Sequence, residues 1–163
     1  SLDQAYFHEL EKLAEKINNK DFEEFIRNEI EYENLRTALR LKKYGISEEQ
    51  IRERLLETQK TDLTNQIIET QNYEEAIDLL YQTGKISEGI EENLENIEHE
   101  LERQRLQKAL KMQYKDPLGL TPIIGYIVAK ISEVKNLRML IRAKETGIHN
   151  LETIRKQMVM PDE

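Results

Sequence analysis

The chain has 163 residues and a net charge of −8, with 34% charged and 38% hydrophobic residues, six glycines, three prolines and no cysteine. The negative charge repels a phosphate backbone, which argues against nucleic-acid binding. The absence of cysteine excludes disulfides, thiolate metal sites and cysteine nucleophiles, and is compatible with a reducing cytosol. Helix-forming residues dominate and strand-like alternation is absent, so the composition predicts an all-α fold.

Neither a membrane span nor a signal peptide is expected. The longest apolar window, residues 123–131, contains Lys130 and is about half as long as a helix that crosses a bilayer. The first residues lack the pattern of a secretory signal. Ser1 stands where an initiator methionine would, which is typical of an excised or processed chain.

The first part of the chain predicts three helices. Apolar residues at spacings of three and four predict a helix over residues 2–18. A second helix is predicted over residues 21–44, with Asp21 as its cap and Gly45 closing it in the left-handed conformation. Ser47, with a glutamine three positions later, predicts a capping box at the start of a third helix.

The middle of the chain predicts a loop and two helices. Clustered polar residues favour a loop over residues 58–64, followed by a helix over residues 72–83 that Gly84 ends. Ser87 is predicted to start a long helix over residues 87–114. Its acidic residues come first and its basic residues last, which suits the helix macrodipole and favours a solvated helix over a basic binding patch.

The last part predicts a loop over residues 115–119 and two more helices. Thr121 is predicted to cap the first of them, and Pro122 is tolerated in its first turn. This helix is expected to be buried on more than one side as the core of the protein, and Gly147 ends it. Asn150 is predicted to cap the last helix, over residues 150–160. The apolar positions of the expected core helix are Ile123, Ile124, Ile127, Val128, Ile131, Val134, Leu137, Leu140 and Ile141.

One segment of the chain is repeated. Asn34, Leu35, Arg36, Arg40, Lys42, Gly45 and Ile46 recur, at one constant offset, as Asn136, Leu137, Arg138, Arg142, Lys144, Gly147 and Ile148. Seven identities that include a mid-helix asparagine and the terminating glycine rarely arise by chance. The repeat predicts two pseudo-symmetric lobes, over residues 1–71 and 72–163, with a period too long for an ordinary solenoid.

The repeated asparagines call for a structural reason. Asparagine has poor helix propensity, yet Asn34 and Asn136 lie in the middle of predicted helices. A buried side chain that bonds a neighbouring helix end would explain both positions. Ligand binding is the alternative.

The repeated arginines have two interpretations. Arg36 and Arg40, like Arg138 and Arg142, lie one helical turn apart and repel each other. They either staple each lobe to a loop or face the carboxylates of a partner. Glu33 precedes Arg36 by three positions and is a candidate partner for it.

Catalytic patterns are missing from the sequence. His8, His99 and His149 are isolated, and Glu-x-x-His does not occur. Neither a phosphate-cradling glycine loop nor a nucleophile elbow is present. No enzyme activity of its own, no cofactor and no metal are therefore expected.

One run in the C-terminal half resembles the signature of a known family. It consists of Asp116-Pro117-Leu118-Gly119, Pro122, Gly125-Tyr126, Ala129-Lys130, Glu133-Val134-Lys135-Asn136-Leu137-Arg138, Arg142-Ala143-Lys144 and Gly147. This run, with its echo at Asn34 to Arg40, resembles the C subunit of the V-type and A-type ATPases and ATP synthases, whose eukaryotic equivalent is the d subunit. The chain resembles a fragment of that protein, roughly its C-terminal half.

The resemblance implies a fold and a role. Family members are all-helical, with three similar lobes built from long antiparallel helices around a central funnel. They lie on the cytoplasmic face of the membrane, peripheral to it, and connect the central stalk subunits to the proteolipid ring during ion transport or ATP synthesis. A fragment would expose apolar surface where a neighbouring lobe belongs, and it could self-associate.

The site prediction is a set of contact residues rather than a catalytic centre. A generic helical adaptor that binds another protein is the alternative function. The loop at residues 115–120 is expected to dock onto the ring. The candidate partner-contact or lobe-stabilising residues are Asn34, Arg36, Arg40, Lys115, Leu118, Asn136, Arg138 and Arg142.

Overall fold

The computed structural model describes residues 2–56, 62–87, 89–147 and 150–160. These residues form eight α-helices and no strand, which confirms the all-α prediction. The helices are α1 (Leu2–Ile17), α2 (Lys20–Lys43), α3 (Glu48–Arg52), α4 (Asp62–Glu69), α5 (Tyr73–Gln82), α6 (Leu94–Met112), α7 (Thr121–Glu145) and α8 (Leu151–Gln157).

The glycine predictions at helix ends are confirmed. Gly45, Gly84 and Gly147 follow α2, α5 and α7 with φ of 68°, 67° and 72°. This left-handed conformation costs little for glycine and is unfavourable for other L-residues. Ser47 caps α3 as predicted, because its side chain accepts a hydrogen bond from the Gln50 N–H. Asn150 caps α8 by accepting from the Glu152 N–H at 3.0 Å.

Two predicted caps are wrong. Asn19, rather than Asp21, caps α2, since its side chain accepts from the Phe22 N–H at 3.0 Å; Asp21 already lies in the first turn. Thr121 does not cap α7 but is its first residue, and its hydroxyl donates to the Asp116 carbonyl at 3.0 Å. The two long helices of the repeat therefore begin differently.

Two predicted boundaries also change. The helix expected from Ser87 begins at Leu94, because Gly89 has a φ of 87° that breaks the helical path. The expected loop over residues 58–64 is partly helical, since α4 starts at Asp62; its residues 58–61 lie outside the described residues.

The chain divides into two compact units, Ser1–Leu101 and Glu102–Glu163, called here the N-terminal and C-terminal units. The expected lobes over residues 1–71 and 72–163 stay a prediction. Helices α4 and α5 pack against α2, so they lie in the same compact unit as the first copy of the repeat. The repeated segment occurs once in each unit.

In the N-terminal unit, α2 is the central helix. It packs against α1, α3, α4 and α5. Its buried residues Leu35 and Leu39 meet apolar side chains of α4, α5 and the start of α6. A second cluster joins the first half of α2 to α1. The larger cluster contains Tyr32, Leu35, Ala38, Leu39, Ile51, Ile67, Ile68, Ala76, Ile77, Leu80, Ile86, Ile97 and Leu101.

The side chain of Asn34 holds α2 to the backbone beyond α3. Asn34 is 1% exposed. Its Nδ2 donates to the Leu56 carbonyl at 2.8 Å, and its Oδ1 accepts from the Leu56 N–H at 2.6 Å. One amide side chain thus provides hydrogen-bond partners for both the N–H and the carbonyl of one residue, which would otherwise need other partners.

The C-terminal unit contains the same arrangement. Asn136 Nδ2 donates to the Val159 carbonyl at 2.8 Å, and its Oδ1 accepts from the Val159 N–H at 3.1 Å. We call the two arrangements the asparagine clamps. Each asparagine thus bonds backbone that follows a short helix rather than the helix end itself: Leu56 comes after α3, and Val159 comes after α8.

Helix α7 also approaches the second half of α6 within the C-terminal unit. A Cβ at Gly125 would lie 3.0 Å from Gln113 Cβ and 3.6 Å from the Ala109 carbonyl, so glycine permits this close approach. Lys135 Nζ bonds Glu102 Oε1 at 2.8 Å and ties the same two helices further along.

Removal of the clamp amide should destabilise the N-terminal unit more than the C-terminal unit. Asn34→Ala removes a side chain that is 1% exposed and leaves the N–H and carbonyl of Leu56 without these partners, and we expect a loss of about 2–3 kcal/mol in the free energy of unfolding. Asn136 is only half-buried, so Asn136→Ala should cost about 1 kcal/mol. Urea unfolding followed by circular dichroism measures both; equal losses below about 0.5 kcal/mol would contradict the prediction.

Candidate partner-binding surface

The repeated cations of the N-terminal unit all have partners inside that unit. Arg36 Nη2 lies 2.8 Å from Glu33 Oε2, and its guanidinium carbon is 5.7 Å from the centroid of the Tyr32 ring. Arg40 pairs with Glu98 of α6 through Nε and Nη2, the second bond being 2.6 Å. This two-bond geometry is the strong form of an arginine–carboxylate pair.

Lys42 closes the carboxyl end of α4. Its ammonium donates to the carbonyls of Ile68 at 2.7 Å and Thr70 at 2.6 Å. The last carbonyls of a helix lack partners in the helix itself, and a cation there is favoured by the helix dipole. Lys42 and Arg40 therefore tie α2 to α4 and α6 around the apolar cluster.

The pKa values of these two cations are shifted in opposite directions. The hydrogen bonds that Arg40 donates to the Glu98 carboxylate raise the pKa of Arg40, against a smaller opposing effect of burial. Burial lowers the pKa of Lys42, while the charges of Glu48 and Glu75 oppose that shift.

The corresponding cations of the C-terminal unit point to solvent. Arg138, Arg142 and Lys144 are exposed, and among the described residues the side chain of none of them forms a hydrogen bond or an ion pair. For Arg138 the cause is in the sequence, because Lys135 occupies the position that Glu33 has in the first repeat. Three cations in the second half of α7 are thus available to another molecule.

The apolar stripe of α7 is exposed, so the prediction that this helix is the core of the protein is wrong. Leu137 is 51% and Ile141 57% exposed, whereas Leu35 and Leu39, at the same positions of the first repeat, are 3% and 0% exposed. The stripe is exposed because no described helix of the unit covers it. Within its unit α7 buries only a narrow side, which includes Ile124, Gly125, Val128 and Ala143. The exposed apolar residues of α7 are Ile123, Tyr126, Ile127, Ile131, Val134, Leu137, Leu140 and Ile141.

The loop between α6 and α7 presents an apolar tip. Leu118 is 99% exposed, and Lys115 is exposed as well. Asp116 shapes the loop: its Oδ1 accepts from the Leu118 N–H at 3.3 Å, and its carbonyl accepts from the Gly119 N–H at 3.1 Å. A Cβ at Gly119 would lie 2.0 Å from Asp116 Oδ2, so glycine is needed while the aspartate holds this position.

The eight candidate residues divide between the two units. Asn34, Arg36 and Arg40 are engaged within the N-terminal unit, Asn136 is engaged in its clamp, and the remaining four are exposed in the C-terminal unit. Sequence reasoning missed the roles of Lys42 and Glu98, although Lys42 was part of the repeat. The partners of these cations come from helices that are far away along the chain and close in the fold. The repeated residues do not indicate which helices those are.

No metal-binding chemistry is visible in the part of the chain that the structure describes. No group of three or more acidic or histidine side chains there is arranged to hold a metal ion. Over the same residues, no helix is both long enough and apolar enough to cross a membrane.

Comparison with known proteins gives a consistent family. Residues 1–157 match the family model described as ATP synthase (C/AC39) subunit. The chain is 32% identical to the A-type ATP synthase C subunit of Methanosarcina acetivorans, over 98% of this chain and 46% of that protein. It is 30% identical to the C subunit of Methanosarcina mazei, with the same coverage, and 30% identical to that of Methanocaldococcus jannaschii, over 98% of this chain and 43% of the relative.

The match covers nearly all of this chain but only part of each relative. The chain spans a little under half the length of the curated relatives it matches, and no solved structure matches it. The family model nevertheless covers nearly the whole chain, including both asparagines of the clamps. The chain therefore belongs to the ATP synthase (C/AC39) subunit family.

Proposed function

We propose that this chain acts as a non-catalytic connector of a rotary A-type or V-type ATPase, coupling the central stalk to the proteolipid ring in the membrane. The observation that carries the proposal is the family membership over residues 1–157, together with relatives that are named as C subunits of A-type ATP synthases. In this role the chain is peripheral to the membrane, at its cytoplasmic face.

The structure supports a mechanical role. A coupler must resist bending, and α2 and α7 have 24 and 25 residues, which corresponds to roughly 36 Å of continuous helix each. Each long helix has its asparagine clamp in its second half, which fixes the following segment against it. Stiff helices joined by specific polar bonds transmit force without a hinge.

Two exposed features are the proposed contacts. Arg138 offers an unpaired guanidinium, which suits a carboxylate on the stalk, because arginine binds carboxylates with two parallel bonds. The loop tip at Leu118 offers an apolar side chain that is 99% exposed, which suits the ends of the helical hairpins in the ring. Polar contact on the stalk side and apolar contact on the ring side would orient the connector.

Charge reversal at Arg138 should weaken stalk binding without loss of the fold. The side chain is exposed and unpaired, so Arg138→Glu leaves the helix content unchanged. We expect roughly tenfold weaker binding to the purified stalk assembly at low salt, with a smaller effect at high salt because such contacts are screened. Biolayer interferometry at two salt concentrations measures both values.

Lys130→Glu is the matched control, since Lys130 is an exposed cation of the same helix that is already paired with Glu133 at 2.6 Å. It should bind the stalk as the unmodified chain does. A folded Arg138→Glu protein with unchanged stalk affinity would remove Arg138 from the proposed interface.

The loop contact can be tested by site-specific cross-linking. A photoreactive amino acid at position 118 should cross-link to the proteolipid subunit in the assembled membrane complex. The same group at Tyr44, which is 77% exposed after α2, is the control and should give no such product. Equal yields at both positions, or none at 118, would contradict the assignment of the loop to the ring.

A further inference from the structure

The two repeats differ in what covers their long helix. In the N-terminal unit, Leu35, Ala38 and Leu39 of α2 are buried under α4, α5 and the start of α6. At the same offset in the C-terminal unit, Leu137 and Ile141 of α7 are about half exposed, and Leu140 is 37% exposed. We call this exposed surface, with Val134, the α7 face.

The cations at the end of α7 also differ from their counterparts on α2, in whether they have partners. Arg40 binds the Glu98 carboxylate, and Lys42 binds the carbonyls of Ile68 in α4 and of Thr70 just after it. Their counterparts Arg142 and Lys144 lack both kinds of partner among the described residues. Each of these two unpaired cations of α7 has a paired counterpart on α2. The groups that pair with Arg40 and Lys42 therefore indicate the chemistry of a molecule that would cover the α7 face.

The local backbone shows that the comparison is between like positions. Both helices end at a glycine of positive φ, Gly45 and Gly147, and both carry an asparagine clamp eleven positions earlier in the same repeat. Side chains placed at equal distances from these two markers lie at equal heights and on equal sides of their helices. The α7 face is thus the counterpart of the covered face of α2.

The α7 face is also concave along one side. A groove of about 290 Å³ is bordered by Leu106 and Leu110 of α6, by Leu137 and Leu140 of α7, and by Met158. A continuous exposed apolar surface of this extent is a mark of an interaction site in a protein that is otherwise highly charged.

We propose that the α7 face binds a pair of amphipathic helices, outside this chain, with the chemistry of α4 and α5. One helix of the pair ends with its free carbonyls at Lys144, a nearby glutamate pairs with Arg142, and apolar side chains cover Leu137, Leu140 and Ile141. This inference does not depend on the rotary role, because it rests on the difference between two repeats of the same chain.

The test supplies the missing neighbour from the chain itself. A second copy of residues 62–98 is joined after Glu163 through a flexible glycine–serine linker, which gives an effective concentration in the millimolar range. Backbone amide exchange over residues 134–144 is then compared with that of the chain without the addition. We expect exchange at least tenfold slower in the extended protein, because packing stabilises the helix locally.

Matched variants separate specific docking from general adhesion. Leu137→Glu in the extended protein should abolish the slowing, Lys144→Glu should reduce it roughly fivefold, and Leu118→Glu, an exposed leucine outside the α7 face, should leave it intact. An added copy that carries Ile67→Asp and Ile77→Asp should give no slowing. No slowing with the unmodified copy, or equal slowing with the doubly substituted copy, would overturn the proposal.

A second copy of the chain is the competing occupant. Sedimentation velocity of the chain without the addition should show a monomer at micromolar concentration. A dimer whose residues 134–144 become protected from exchange would identify self-association as the role of the α7 face and would also overturn the proposal.

Discussion

The structure depends on a pair of hydrogen bonds that one asparagine side chain makes with one backbone residue. A primary amide presents a donor and an acceptor side by side, and so does the backbone of the residue it meets. Aspartate lacks the donor, and glutamine carries the same group one methylene further from the backbone. At Asn34 and again at Asn136, this bond sets where the chain lies after the short helix. Asparagine is tolerated in the middle of each long helix because that contact offsets its poor propensity.

The clamps fix local geometry without deciding burial. Around Asn34, helices α4 and α5 complete an apolar cluster, and Arg40 and Lys42 join those neighbours to α2. Around Asn136 the same backbone arrangement carries exposed leucines and unpaired cations. The same segment thus serves as a closed core in one unit and as an open surface in the other. That difference, rather than any single residue, makes the C-terminal unit the part of the chain that is suited to contact other molecules.

The sequence allowed prediction of whatever is local or repeated. The periodicity of apolar residues predicted the long helices, and glycines predicted the ends of α2, α5 and α7. The recurrence of Asn34 at Asn136 predicted that both side chains bond a neighbouring segment of backbone. The sequence could not predict that the stripe from Ile123 to Ile141 is exposed. Periodicity indicates that a helix face is apolar, but it does not indicate whether another helix covers that face. Helix α4 was missed because its first turn contains polar residues, Asp62, Thr64 and Asn65, although Ile67 and Ile68 are buried.

Contacts within one helix could be predicted from the sequence, and contacts between distant helices could not. Glu33 as the partner of Arg36 could be predicted, since both lie on one helix three positions apart. Glu98 as the partner of Arg40 could not, since it comes from a helix 58 positions later in the chain. The exposure of Arg138 follows from the substitution of Lys135 for the glutamate of the first repeat, which is visible once the two copies are aligned. Contacts between distant elements need the fold, and contacts within a helix do not.

Amide hydrogen exchange at Leu56 and Val159, measured by NMR on the unmodified chain, tests the central claim most directly. Each of these N–H groups lies outside a helix, and each donates to an asparagine side chain. The account predicts that both exchange at least tenfold more slowly than an unprotected amide, with Leu56 the slower because Asn34 is the more buried of the two asparagines. Exchange at the unprotected rate at either residue would contradict the claim that the same clamp organises both repeats.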